Sequence, residues 1–71
     1  MGAVREVTVS REVIRLGQLL KLAGLVDSGA DAKAVLAEGG VRVNGEVETR
    51  RGRQLQRGDV VEHGGNAVRV G

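Results

Sequence analysis

The chain has 71 residues, a net charge of +2 from eleven Lys and Arg against nine Asp and Glu, and neither Cys nor any aromatic residue. That length fits a single domain, residues 1–71, which hides only about 60% of the surface of its extended chain. The composition excludes disulfide bracing, a Cys-ligated zinc site and base stacking on aromatic rings, and it leaves the core to Leu, Val, Ile and Ala.

Residues 4–9 alternate, with Val4, Glu6 and Thr8 set against Arg5, Val7 and Val9, and read as a strand at a sheet edge. The opening MGAVREVTVSREV lacks the apolar block of a signal peptide, and no apolar run approaches the roughly 18 residues needed to span a membrane. The expectation is a soluble, cytoplasmic protein. Ser10 to Val13 reads as a connection.

Leu16, Leu19, Leu20 and Ala23 fall at i, i+3, i+4 and i+7, one apolar stripe of a helix that Gly24 stops. Gly17 is out of place there, costing about 0.5–1 kcal/mol relative to Ala. Of two readings, a fraying first turn or the close passage of a ligand's backbone, the first is preferred. Asp27 and Ser28 offer capping oxygens for a second helix, with Asp31 at a capping-box spacing from Ser28. Ala32, Val35, Leu36 and Gly39 repeat the helical stripe, and Gly39-Gly40 end it. The two helices predict a hairpin packed on another layer.

From Val41 the period changes to two: Val41 and Val43 share a face and Arg42 points away. Asn44-Gly45 is a hairpin turn signal. A two-residue loop would mix charges into the apolar face, pairing Val43 with Glu46. A three-residue loop, Asn44 to Glu46, pairs Val43 with Val47 and Val41 with Thr49, and is expected on that ground. Arg50-Arg51-Gly52-Arg53 reads as an exposed crossing, Leu55 as the start of a short strand and Arg57-Gly58-Asp59 as a turn. Val60 to His63 and Ala67 to Val70 flank Gly64-Gly65-Asn66 as a second hairpin.

Four ordered segments now bear comparison with a known family. Arg15-Leu16-Gly17-Gln18-Leu19-Leu20, Ser28 with Ala32 four residues on, Gly40-Val41-Arg42-Val43-Asn44-Gly45, and Arg57-Gly58-Asp59-Val60-Val61 resemble the RNA-binding domain named after ribosomal protein S-four. The resemblance covers residues 14–62, and the whole chain looks like the small stand-alone members of that family. It implies an α+β fold, an αα-hairpin packed against a small, mostly antiparallel sheet (the alpha-L RNA-binding motif), with RNA binding as the activity. Where many relatives carry an acidic residue the chain has Gly17, and where many carry Arg after the helix-capping Ser it has Gly29. The phosphate-gripping work is therefore expected to shift toward Arg50, Arg51 and Arg53.

The residues themselves argue for recognition by shape and charge. Arginine offers a planar fork of donors that suits phosphate. Paired RNA hides its base edges in a deep, narrow groove, so contacts fall on phosphates and 2′-hydroxyls. Candidate RNA-binding residues are Arg15, Gln18 and Lys21 from the first helix, Ser28, Gly29 and Lys33 from the second, Arg42 and Asn44 from the turn, and Arg50, Arg51 and Arg53 from the crossing. For each cation a solvated surface charge is the alternative, and Asn44 serves equally as a left-handed turn residue. The expected partner is structured RNA, rRNA or tRNA, associated with the ribosome and translation.

No catalytic constellation is readable. His63 is the one His and reads as a solvated surface residue, Asp27 and Asp31 are explained by capping, and no glycine pair leads into a Lys-Ser or Lys-Thr. The expectation is a non-enzyme without cofactor, metal or small-molecule substrate. The alternative is a protein-interaction module whose arginines meet an acidic partner or dock on the ribosome through protein.

Overall fold

The computed structural model describes residues 4–9 and 13–71. Strand β1 (Val4–Val7) is followed by β2 (Ile14–Arg15), α1 (Leu16–Leu22), α2 (Gly29–Ala37), β3 (Val41–Val43), β4 (Glu46–Val47), β5 (Gln54–Leu55), β6 (Val60–His63) and β7 (Asn66–Val70). Five strands form one sheet in the order β1-β7-β6-β3-β4, and β2 and β5 form a separate two-stranded ribbon. Every pairing is antiparallel except β1 with β7. The fold is thus the expected α+β arrangement of a helix hairpin on a small, mostly antiparallel sheet. Of the connection expected at Ser10 to Val13, only Val13 lies within the described residues.

The apolar stripes explain the layering. Leu16, Leu19 and Leu20 of α1 and Ala32 and Leu36 of α2 are buried against Val41, Val43, Val61 and Val70 of the sheet. Because side chains alternate across a strand, the register places Val41, Val43, Val61, Val68 and Val70 on the helix side. Arg42, Glu62, Ala67 and Arg69 lie on the other side, which no helix covers. At β1 the guanidinium of Arg5, on the inner side, donates to the Ala23 carbonyl at the end of α1. A cation there meets the negative end of the helix dipole.

Two turns differ from expectation. Arg42 pairs with Val47 and Val43 with Glu46, so the β3–β4 loop is the two-residue Asn44-Gly45 and not a three-residue one. Asn44 (φ 52°) and Gly45 (φ 85°) both take left-handed conformations, the pair whose twist matches a hairpin. The conflict of faces is tolerated because β4 is a two-residue edge strand: Val47 turns to the open face and stays 53% exposed. The following residue, Glu48, is carried to the core side, its N–H donating to the Val41 carbonyl (3.0 Å). In the second hairpin His63 pairs with Asn66, so the loop is Gly64-Gly65 and Asn66 belongs to β7.

Candidate nucleic-acid interface

The site is built where the arginine-rich segment after β4 is laid over the start of α1. The β2–β5 ribbon pairs Ile14 with Leu55 and Arg15 with Gln54, bringing the two segments side by side. The first N–H groups of a helix have no partner within it. Here Leu16 N–H donates to the Arg53 carbonyl (2.8 Å) and Gly17 N–H to the Arg51 carbonyl (3.0 Å). Gln18 Oε1 accepts from the Arg15 N–H (3.3 Å), which is half of a capping box; the Arg15 guanidinium has no acceptor to supply the other half.

This crossing corrects the reading of Gly17. It is not a fraying first turn, and what passes close by is the chain's own loop. A Cβ on Gly17 would lie 2.5 Å from Arg51 Cγ and 3.2 Å from Cδ. Only a residue without a side chain leaves room for the stem of Arg51 to lie across the helix.

Beneath the loop sits Glu48, 7% exposed. Its Oε2 accepts from the N–H groups of Thr49 (2.9 Å) and Arg50 (3.0 Å) and from Arg50 Nε (3.2 Å). Its Oε1 accepts from Arg50 Nη2 (3.0 Å) and Arg53 Nη1 (3.2 Å). The side-chain and backbone hydrogen bonds of Arg50 pull the Glu48 carboxyl down from 4.5 to about 2, against the opposing effect of desolvation. The same contact raises the Arg50 guanidinium above its ordinary value.

A groove of about 350 Å³ results, lined by Arg15, Gly17, Gln18, Lys21, Gly29, Ala32, Arg51 and Gly52. It unites expected residues from α1, from the start of α2 and from the crossing. Nothing lies within 4 Å of where a Cβ would stand on Gly29 or Gly52, so the rim there is bare backbone. Ser28 and Lys33 are exposed but outside the lining. Ser28 Oγ is the α2 cap, accepting the Asp31 N–H (3.1 Å).

Other expected residues are engaged elsewhere. Arg50 and Arg53 are held by Glu48. Arg42 donates across its own turn to the Gly45 carbonyl (3.3 Å) and lines a separate hollow with Gly40, Glu62 and His63. Asn44 Nδ2 donates to Asp59 Oδ1 (3.1 Å), and its Oδ1 accepts the Val60 N–H (2.9 Å). Those bonds tie the turn to the Arg57-Gly58-Asp59 bend. His63 is half-buried rather than solvated, and its Nδ1 donates to the Gly40 carbonyl (2.9 Å). Among the described residues no three of His, Asp and Glu gather as a metal site, and no helix is long and apolar enough to cross a membrane.

Glu48 is not among the residues that the sequence marks as candidates. The signal was a carboxylate two and five residues before arginines, but its burial depends on the two-residue turn.

The family model described as the S4 domain matches residues 7–71. Over 56 residues the chain is 52% identical to a protein of Bacillus subtilis (strain 168) named as a probable ribosome maturation protein, RlbA, covering 79% of each chain. It is 46% identical over 57 residues to YbcJ of Escherichia coli (strain K12), covering 80% of this chain and 81% of that one; the name of YbcJ suggests RNA binding. The solution structure of YbcJ aligns with a TM-score of 0.72 at 38% identity, covering 99% of this chain and 90% of the other, and is described as revealing a motif involved in RNA binding. A family match across nearly the whole chain, on a fold shared with YbcJ, makes this protein a member of the S4 domain family.

Proposed function

We propose that this chain is a non-catalytic RNA-binding protein that grips the backbone of structured RNA in the groove between α1, the start of α2 and the arginine loop. The observation that carries this reading is the convergence of Arg15, Gln18, Lys21 and Arg51 on one groove from segments far apart in sequence. Guanidinium and ammonium groups set side by side, without an acidic side chain in the lining, suit a polyanion. The bare backbone at Gly29 and Gly52 lets a phosphodiester chain approach closely. With no Phe, Tyr or Trp available, bases are not stacked on such rings, and recognition rests on shape, phosphates and 2′-hydroxyls. The family membership and the relatives' names support RNA as the partner, and ribosome maturation in one name supports rRNA in the cytoplasm as the target.

Binding of purified bacterial rRNA, followed across a salt titration, tests the proposal. Three cations in contact with phosphates give a slope of log K on log salt of about −2 to −3. A duplex DNA of matched length should bind more weakly. Binding to ribosomes that survives ribonuclease would point instead to docking on an acidic protein surface.

A further inference from the structure

We infer that Glu48 is a positioning residue for RNA binding, and that of the three loop arginines Arg51 alone is the phosphate ligand while Arg50 and Arg53 are its scaffold. The inference rests on the proposed function and goes beyond it.

The geometry is specific. Arg51 lies between two residues whose guanidinium groups both end on the Glu48 carboxylate. Glu48 also accepts the N–H groups of Thr49 and Arg50, the two residues leading into Arg51. The turn is closed by the Arg53 N–H donating to the Arg50 carbonyl (3.3 Å), and Glu48 is anchored to β3 through Val41. With the backbone fixed on both sides, the Arg51 carbonyl meets the Gly17 N–H, and its side chain runs over Gly17 into the groove. Arg50 and Arg53 are absent from the groove's lining, and one carboxylate charge offsets one of their two charges. A side chain whose backbone and stem are positioned in advance loses less conformational freedom when it binds, which favours affinity.

This arrangement reverses the simple electrostatic expectation for Glu48→Gln. The substitution adds one net positive charge, so if Arg50 and Arg53 were ligands masked by Glu48, rRNA would bind more tightly with a steeper salt slope. A positioning role predicts weaker binding to purified rRNA by about fivefold, the contribution of one phosphate contact at 0.15 M salt, with a shallower slope. It also predicts that Arg51→Ala, costly in the wild type, adds less than twofold in the Glu48→Gln background. Circular dichroism shows whether each variant is folded at the assay temperature. Should Glu48→Gln unfold, Gly17→Ala displaces the stem of Arg51 while leaving Glu48 intact, and should weaken rRNA binding as Arg51→Ala does. Equal or tighter binding by Glu48→Gln, or wild-type binding by folded Gly17→Ala, overturns the inference. Failure of the wild type to bind rRNA overturns the proposed function instead.

Discussion

Two surfaces of this protein carry arginines and differ in what surrounds them. On the open face of the sheet, Arg42 stands opposite Glu62 and Arg69 opposite Glu6, each cation facing an acid across neighbouring strands. Around the groove, Arg15, Lys21 and Arg51 lie together without an acidic side chain in the lining, and Glu48 is buried beneath the loop with its oxygens already engaged. A net charge of +2 describes neither surface. Placement pairs cations with acids on one face and gathers Arg15, Lys21 and Arg51 around one groove on the other, and local field matters more than total charge in attracting a polyanion.

Substitution in the groove should have the largest effect. Replacing Arg15, Lys21 and Arg51 together with Ala should weaken rRNA binding by about a hundredfold at 0.15 M salt and nearly flatten the salt dependence, since each phosphate contact is worth about fivefold there. Retained affinity in a filter-binding titration would mean that RNA is held elsewhere. Next in size is Asn44→Ala. It removes the side-chain bonds to Asp59 and Val60 and leaves Ala at a positive φ, so it should lower stability by about 1–2 kcal/mol, read as a lower denaturant midpoint. Its rRNA affinity should be unchanged while folded, because that amide already has internal partners.

A subtler effect separates the buried acid from those on the open face. The Glu48 carboxyl titrates lower in the folded chain, about 2 against 4.5, so its contribution to stability is complete above about pH 4.5. That contribution falls as the pH drops and is lost by about pH 2. Urea melts of Glu48→Gln should lack this portion of the acid limb, and an identical acid profile would show the carboxylate to be unlinked to folding. The smallest effect belongs to the open face: Arg42→Ala or Arg69→Ala should change rRNA affinity by less than twofold. A larger loss from either would extend the interface around the sheet.

Much of the fold was legible because its signals are local. The stripes of Leu16, Leu19, Leu20 and Ala23, and of Ala32, Val35, Leu36 and Gly39, need only helical periodicity to declare a buried face, and all are buried except Val35 and Gly39, which are partly so. Ser28 capping the second helix and the Val41–Val43 strand are equally visible, and so is the second hairpin, although Asn66 belongs to its strand and not to its loop. At Asn44-Gly45 consistency of faces favours a three-residue loop and turn twist a two-residue one, and at a two-residue edge strand the twist prevails. That single register step decides that Val47 is exposed and Glu48 buried. Of the candidate site, the cation-bearing segments could be named, but not which guanidinium is directed where.

The order of residues alone sets the layers of this protein: where the helices run, which valines face them, and that arginine crowds the crossing after the hairpin. Periodicity and turn chemistry act between neighbouring residues, so they are written in the order of the chain. It took packing in three dimensions to lay the crossing on the first turn of α1, to make a bare Gly17 admit the stem of Arg51, and to bring Arg50 and Arg53 onto Glu48. Those contacts join residues distant in sequence, and their partners are chosen by which backbone donors and buried charges remain unsatisfied once the layers have packed.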